Sequence, residues 1–300
     1  MTNFDVVSIG SAVLDMLFVS KSFTPTAVSG EMMLCEISGG KVNVEQAVLS
    51  SGGAATNTSV SFARQGLKAA FVGELGKDPA AQVIIDECAR EGVDTSLVVE
   101  MPDEQTGMSA IMVAPDGSRS AMTFRGASYQ LSHQDIPYAS LEGTKHIHLS
   151  SVGNSDLIRE LFLWCRDHKV GLSWNPSKDE LEDVVLRTGD LFEYVCDQII
   201  VNDQEFAVIE SKKERLFKMG KLLVITKGKD GGEIYQDGSS RHFEAKPVKA
   251  VSELGAGDAF ASGLVGALLR GKSLDEAIAF AVDNATSVVQ SLGAKTGLLR

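Results

Sequence analysis

The sequence predicts an α/β fold, a mostly parallel sheet with helices on both faces, carrying a small β subdomain. Three observations predict it. Apolar runs of strand length alternate with stretches of helical spacing along most of the chain. Two strand-only regions, about 16–40 and 95–125, interrupt that alternation. The length of 300 residues, 44% of them hydrophobic, suffices for one large core.

The elements follow in order. Residues 4–9 are a short apolar run closed by Gly10, a buried strand, and 31–37 are a second run ended by Ser38-Gly39-Gly40. Residues 54–65 have helical spacing, with Val60 and Ala63 on one face and Gly66 as the stop. Residues 69–73 form a strand; Asp78 and Pro79 then open a helix as N-cap and first helical residue, and Gly92 closes it. Residues 108–113 and 120–124 make a hairpin around Pro115-Asp116-Gly117-Ser118. Strands are expected at 145–149, 170–174, 199–201 and 222–226, with helices near 156–167 and 204–219. A second hairpin, 232–235 with 241–245, turns at Asp237-Gly238. Residues 257–270 are one helix stopped by Gly271. Ser273 and Glu276 form a capping box for the last helix, expected to reach about Leu292 before Gly293. Strands separated by helices of this length join as βαβ units with parallel pairing. No linker-like composition separates the β pieces, so 1–300 read as a single domain.

Lys and Arg number 28 against 40 Asp and Glu, a net charge of −12. Such an acidic surface argues against nucleic-acid and anionic-membrane partners, which need basic surfaces. Cys35, Cys88, Cys165 and Cys196 are scattered with no C-x-x-C pair, so they read as core thiols. Residues 1–10 carry no basic-then-apolar leader, and the longest apolar stretch, 259–269, is far below the ~20 residues that span a bilayer. The expected compartment is the cytoplasm, where the N-x-S/T matches at Asn57 and Asn284 carry no glycosylation meaning.

Gly255-Ala256-Gly257-Asp258 leads straight into an apolar-periodic helix. The first N–H groups of a helix have no internal partner and lie at the positive end of its dipole. Small residues there let a phosphate approach the backbone. Asp258 points at the same place. A carboxylate repels a bound anion, but it suits a base that takes a hydroxyl proton. These residues alone are equally compatible with a glycine-rich helix start whose Asp is a favourable N-terminal charge. Ser51-Gly52-Gly53-Ala54-Ala55-Thr56-Asn57 is a second such start. The Asn57 amide suits polyol hydroxyls, and close helix packing is the plain alternative.

Together these elements resemble the ribokinase-type (PfkB) carbohydrate kinase family, over nearly the whole chain. The resemblance rests on Gly10-Ser11 and Asp15 after the first strand, and on Gly52-Gly53-x-x-x-Asn57, similar to the first family signature. Gly73-x-x-Gly76-x-Asp78, Asn202-x-x-Glu205 and Thr226-Lys227-Gly228 with Gly231 follow in family order, and Gly255-Ala256-Gly257-Asp258 is the second signature. The resemblance implies a doubly wound, ribokinase-like sheet with the β pieces as a lid that excludes water from the site. It implies ATP- and Mg²⁺-dependent phosphorylation of a sugar, sugar acid or nucleoside hydroxyl. Asp258 would be the base, with an anion hole at Gly255, Ala256, Gly257 and Asp258. Asp15, Gly52, Gly53, Asn57 and Arg125 would face the substrate. Asn202, Glu205, Thr226, Lys227, Gly228, Gly231 and Asn284 would lie on the nucleotide side, with Asn202 and Glu205 holding Mg²⁺ through water. Exposed lid edges suggest a homodimer.

The chain departs from the family pattern where Ser252-Glu253-Leu254 precede the second signature. Ser252 replaces an Asp that helps bind a monovalent cation in several members, so potassium activation is not expected. Glu253 replaces a hydroxyl by a charge, and Ala54 replaces a frequent Lys or Asn. These departures motivate a second reading, a catalytically weak ligand-binding or regulatory protein. Gly266-x-x-x-x-Gly271-Lys272-Ser273 matches a P-loop pattern, but it begins inside an apolar helix rather than after a strand. Gly39-Gly40-Lys41-Val42-Asn43 reads as loop glycine, and His146 with His148 as one face of a strand without a third metal ligand.

Overall fold

The computed structural model describes residues 3–35, 39–187 and 195–300. Strands β1 (Val6–Ile9), β2 (Val13–Val19), β3 (Pro25–Val28), β4 (Glu31–Leu34) and β5 (Gln46–Gly52) precede helix α1 (Ala54–Arg64). Next come β6 (Ala69–Val72), β7 (Glu74–Gly76), α2 (Pro79–Arg90), β8 (Val99–Met101), β9 (Gly107–Val113) and β10 (Arg119–Phe124). The chain continues through α3 (Tyr138–Leu141), β11 (His146–Leu149), α4 (Ser155–His168), β12 (Gly171–Trp174), α5 (Lys178–Leu181) and β13 (Cys196–Asn202). It ends with α6 (Asp203–Ile209), α7 (Lys213–Met219), β14 (Gly220–Thr226), β15 (Gly232–Gln236), β16 (Ser239–Phe243), α8 (Ala256–Leu269) and α9 (Leu274–Val289).

The main sheet has eight strands in the order β16-β15-β14-β13-β12-β11-β1-β6. From β6 to β14 all pairings are parallel, and β15 and β16 add an antiparallel edge. The two-residue period of a strand sends alternate side chains to opposite layers. Val7 and Ile9 of β1 pack with Leu157, Leu161 and Phe162 of α4, whereas Val6 packs with Phe62 of α1 and Phe260 and Leu264 of α8. Both faces of the sheet are thus covered, which is why its strands read as continuous apolar runs.

A second sheet, β10-β9-β2-β5, stands apart from the first. Its composition differs from the expected β-only regions. It begins at Val13 rather than near 16, and it includes β5, which lies outside both expected ranges. β5 escaped the pattern because only its last two residues are buried and its sequence, QAVLSSG, includes no apolar run beyond Ala47-Val48-Leu49. The region from Thr95 supplies β8, which pairs with β7 instead. The expected helix at 204–219 is split into α6 and α7 by a 3-10 turn over Glu210–Lys212, where no side chain is buried to hold it straight. The last helix stops at Val289. Part of the expected run 31–37, and Ser38 after it, lie outside the described residues.

Local signals are realised as read at several helix starts. The Asp78 carboxylate accepts from the Ala81 N–H at 2.9 Å ahead of Pro79. Ser273 and Glu276 cap each other's backbone N–H at 3.3 and 2.9 Å. The second pair belongs to the P-loop look-alike: Gly266 sits mid-helix against the Gln65 side chain, and Lys272 pairs with Glu276 at 3.4 Å. His146 and His148 are buried on β11 and flank the Ser173 hydroxyl at 2.9 and 2.8 Å. Burial pushes them to about 4 and about 3, so both are neutral core groups. Among the described residues no helix is long and apolar enough to cross a membrane.

Candidate active site

Parallel strands end at one edge of a sheet, and ligands of such folds bind there. Here that edge carries Gly10 after β1, Gly73 after β6, Asn175 after β12, Asn202 ending β13 and Thr226 ending β14. The start of α8 faces them. Asn175, Asn202, Glu205, Thr226, Gly255, Gly257 and Asp258 line a cavity of about 210 Å³ over Ile200 and Val201. A larger cavity of about 470 Å³ separates the β9–β10 turn from 250–253, where Arg119 and Glu253 approach at 3.8 Å. The smaller one gathers the chemistry.

The two glycines at the α8 start serve different ends. Gly255 has φ +77°, and a Cβ there would come within 2.4 Å of the Ala294 methyl. At Gly257 a Cβ would meet nothing within 4 Å, so glycine leaves open space beside the helix start. The Ala256 N–H, expected in the anion hole, donates to the Glu253 carbonyl at 3.3 Å. Gly257 and Asp258 hold the positions where helical N–H groups lack an internal acceptor. Ser252 is buried in that loop; its N–H donates to Val289 and its hydroxyl accepts from Leu254 at 3.2 Å.

Asp258 accepts a hydrogen bond from Asn57 Nδ2 at 2.8 Å, across 201 residues of sequence. Burial pushes its carboxyl above the usual range, opposed by the Asn57 bond and by the charge of Lys295. Asn57 is positioned by the Gly52-Gly53 turn into α1. Gly53 has φ +87° and lies against the Ser11 carbonyl, while a Cβ on Gly52 would overlap the Asp15 carboxylate. Asp15, buried on β2, is pushed up to about 6, chiefly by burial. Arg125 is exposed after β10, its guanidinium 3.9 Å over the Tyr129 ring.

On the opposite wall, Asn202 and Glu205 cap each other at the start of α6, each side chain accepting from the other's N–H at 2.8 Å. The spacing therefore has a structural use, and it also presents the Glu205 carboxyl to the cavity. Burial raises the Glu205 pKa. Thr226 lines the same cavity, and Lys227, Gly228 and Gly231 form the turn beyond it, with the Lys227 amine 3.3 Å from Glu233. Asn284, expected on the nucleotide side, is fully buried; its amide donates to the Ala259 carbonyl at 2.7 Å and its oxygen accepts from Leu299 N–H at 2.8 Å, so it braces α8 against the C-terminal segment. Among the described residues no group of three or more His, Cys, Asp or Glu could cage a metal. The cavity offers carboxylate and amide oxygens, a donor set that suits Mg²⁺ held partly by phosphate and water.

The sequence of residues 3–299 matches the model of the pfkB family carbohydrate kinases. The chain belongs to the pfkB family. It is 28% identical over 261 residues to the ribokinase of Haemophilus influenzae, covering 82% of this chain and 83% of that one. It is 28% identical over 255 residues to the nucleoside kinase of Methanothermobacter thermautotrophicus, covering 82% and 81%. The structure of Arabidopsis thaliana ribokinase complexed with ribose and ATP matches with a TM-score of 0.74 and 20% identity, over 98% of this chain and 95% of that chain, which shows the ribokinase-like fold. The protein is therefore a carbohydrate kinase, and its family implies the use of ATP.

Two residues of this pfkB kinase site carried no readable signal. Asn175 sits in an Asn-Pro pair that resembles any turn. Lys295 is a lone lysine near the end of the sequence, yet it is buried beside Asn57 with Nζ 3.0 Å from its amide oxygen. Only long-range folding brings Asn175 to the cavity and Lys295 to Asn57.

Proposed function

We propose that the protein transfers the γ-phosphate of ATP to a hydroxyl of a sugar, sugar acid or related small polyol. The observation that carries this reading is the Asp258 carboxylate, held 2.8 Å from Asn57 Nδ2 at the open start of α8. An acceptor hydroxyl beside Asn57 and Asp15 would lose its proton to Asp258 as it attacks. The Gly257 and Asp258 N–H groups and the positive end of α8 would stabilise charge on the transferred group. Asn202 and Glu205 would hold Mg²⁺ through water, and the ion would neutralise phosphate charge when bound. The β10-β9-β2-β5 sheet would act as a lid over the acceptor, excluding water that would otherwise hydrolyse ATP. A nucleoside acceptor is the second reading, because one relative at 28% identity is a nucleoside kinase.

The test is a panel of sugars, sugar acids and nucleosides with coupled ADP detection. Asp258→Asn is expected to lower acceptor-dependent ADP formation by roughly 10²–10⁴-fold, the usual worth of a general base. Unchanged turnover in that variant, or loss of turnover in Lys272→Ala instead, would sink the assignment. Silence of the wild-type protein toward the whole panel would favour the ligand-binding reading.

A further inference from the structure

Lys295 is a buried ammonium that the phosphotransfer scheme leaves without a task. Its three protons meet three acceptors: the Ser51 carbonyl, Thr56 Oγ1 at 3.4 Å and Asn57 Oδ1 at 3.0 Å. The Thr56 hydroxyl donates its own proton to the Gly52 carbonyl at 2.7 Å, so it accepts from the lysine. With its donors consumed by protein, Lys295 is no receptor for an anionic substrate.

What it does is set the Asn57 amide. An amide can sit either way round, with oxygen and nitrogen exchanged. A cationic donor on one side admits only the oxygen there, which turns Nδ2 toward Asp258 Oδ2 at 2.8 Å. The groups charged or titratable around the ammonium are Glu87 and Cys88 of α2, Asp15 of β2 and Asp258 of α8. Burial lowers the Lys295 pKa and these four groups oppose it.

The lysine is itself anchored. Arg64 donates to the Lys295 carbonyl at 2.7 Å and to that of Leu298 at 3.1 Å, and it pairs with Glu91.

We infer that Lys295 is a positioning residue, which acts through the Asn57 amide to hold the Asp258 carboxylate in place. This rests on the phosphotransfer reading for its consequence, though not for its geometry.

The side-chain amide resonances of Asn57 test the geometry without turnover. In the wild-type protein one Asn57 N–H proton is expected downfield, and it loses that shift in Asp258→Asn. Lys295→Met is expected to bring the same collapse. In kinetics, Lys295→Met should lower kcat about tenfold or more, while KM for ATP changes less than about twofold. Its effect should be non-additive with Asn57→Leu, because both cut one chain of contacts. An unmoved Asn57 signal with only thermal stability lost overturns the proposal, as does full additivity. If Lys295→Met does not fold, the wild-type Lys295 ammonium decides. A slowly exchanging signal with cross-relaxation to Asn57 supports the contact, and its absence refutes it. A wild-type protein that phosphorylates nothing in the panel removes the kinase reading, and the amide measurement still judges Lys295.

Discussion

At the scale of single residues, the roles proposed for Gly257 and Asp15 each carry some expense to the fold. Gly257 has no packing reason to lack a side chain, since a Cβ there touches nothing within 4 Å. Gly257→Ala is expected to leave stability unchanged or raise it by up to ~1 kcal/mol through helix propensity. Turnover should fall about tenfold as the methyl enters the phosphate site; thermal melts and ADP release measured together check both. Asp15 is a buried carboxyl pushed up from 3.8 to about 6. It binds its proton more tightly when folded than when unfolded. Stability therefore falls as pH rises between those two values, and the ionised group is a burden above them. Asp15→Asn should stabilise the protein at neutral pH by on the order of 2–3 kcal/mol, with little effect below pH 4, while acceptor binding weakens. Urea unfolding across that range gives the sign directly. Such a trade is expected where a polar group is kept for function.

Elements decide whether those residues meet. Much of the α/β alternation could be read directly, because buried parallel strands are apolar on both faces and the helices carry caps such as Asp78 and Ser273. β5 could not, since a partly exposed strand needs no apolar run. Nor could the C-terminal segment be placed. It has no periodicity, and it is held by Arg64 of α1, distant in sequence, and by Asn284 of the helix just before it. Arg64→Met should cost roughly 2–4 kcal/mol by leaving Glu91 and two carbonyls unpaired in partly buried surroundings. It should also raise amide exchange over 291–300, and turnover should drop with it. Exchange confined to the α1–α2 contact, with 291–300 still protected, would contradict that role.

For the whole molecule, the net charge of −12 must coexist with a polyanionic phosphate donor. In the proposed site, helix-start N–H groups would do so in place of a basic surface. Long-range repulsion remains, and salt screens it over about a Debye length. KM for ATP at saturating Mg²⁺ is therefore expected to fall, or at least not rise, as ionic strength increases from low to physiological. A steep rise would mean that surface lysines carry the binding.

The sequence by itself determined the alternation of strands and helices, the two glycine-rich helix starts and the acidic character. Each is written in neighbouring residues, through periodicity, capping or plain counting. The tertiary structure decided which of the motif residues share a cavity. It paired the Ala256 N–H with the Glu253 carbonyl, buried Asn284 as a brace, and gave the Asn202-x-x-Glu205 spacing a second use as a cap. It also carried Lys295 across 238 positions to Asn57. Side-chain orientation and burial depend on partners far along the chain, and no local pattern encodes them.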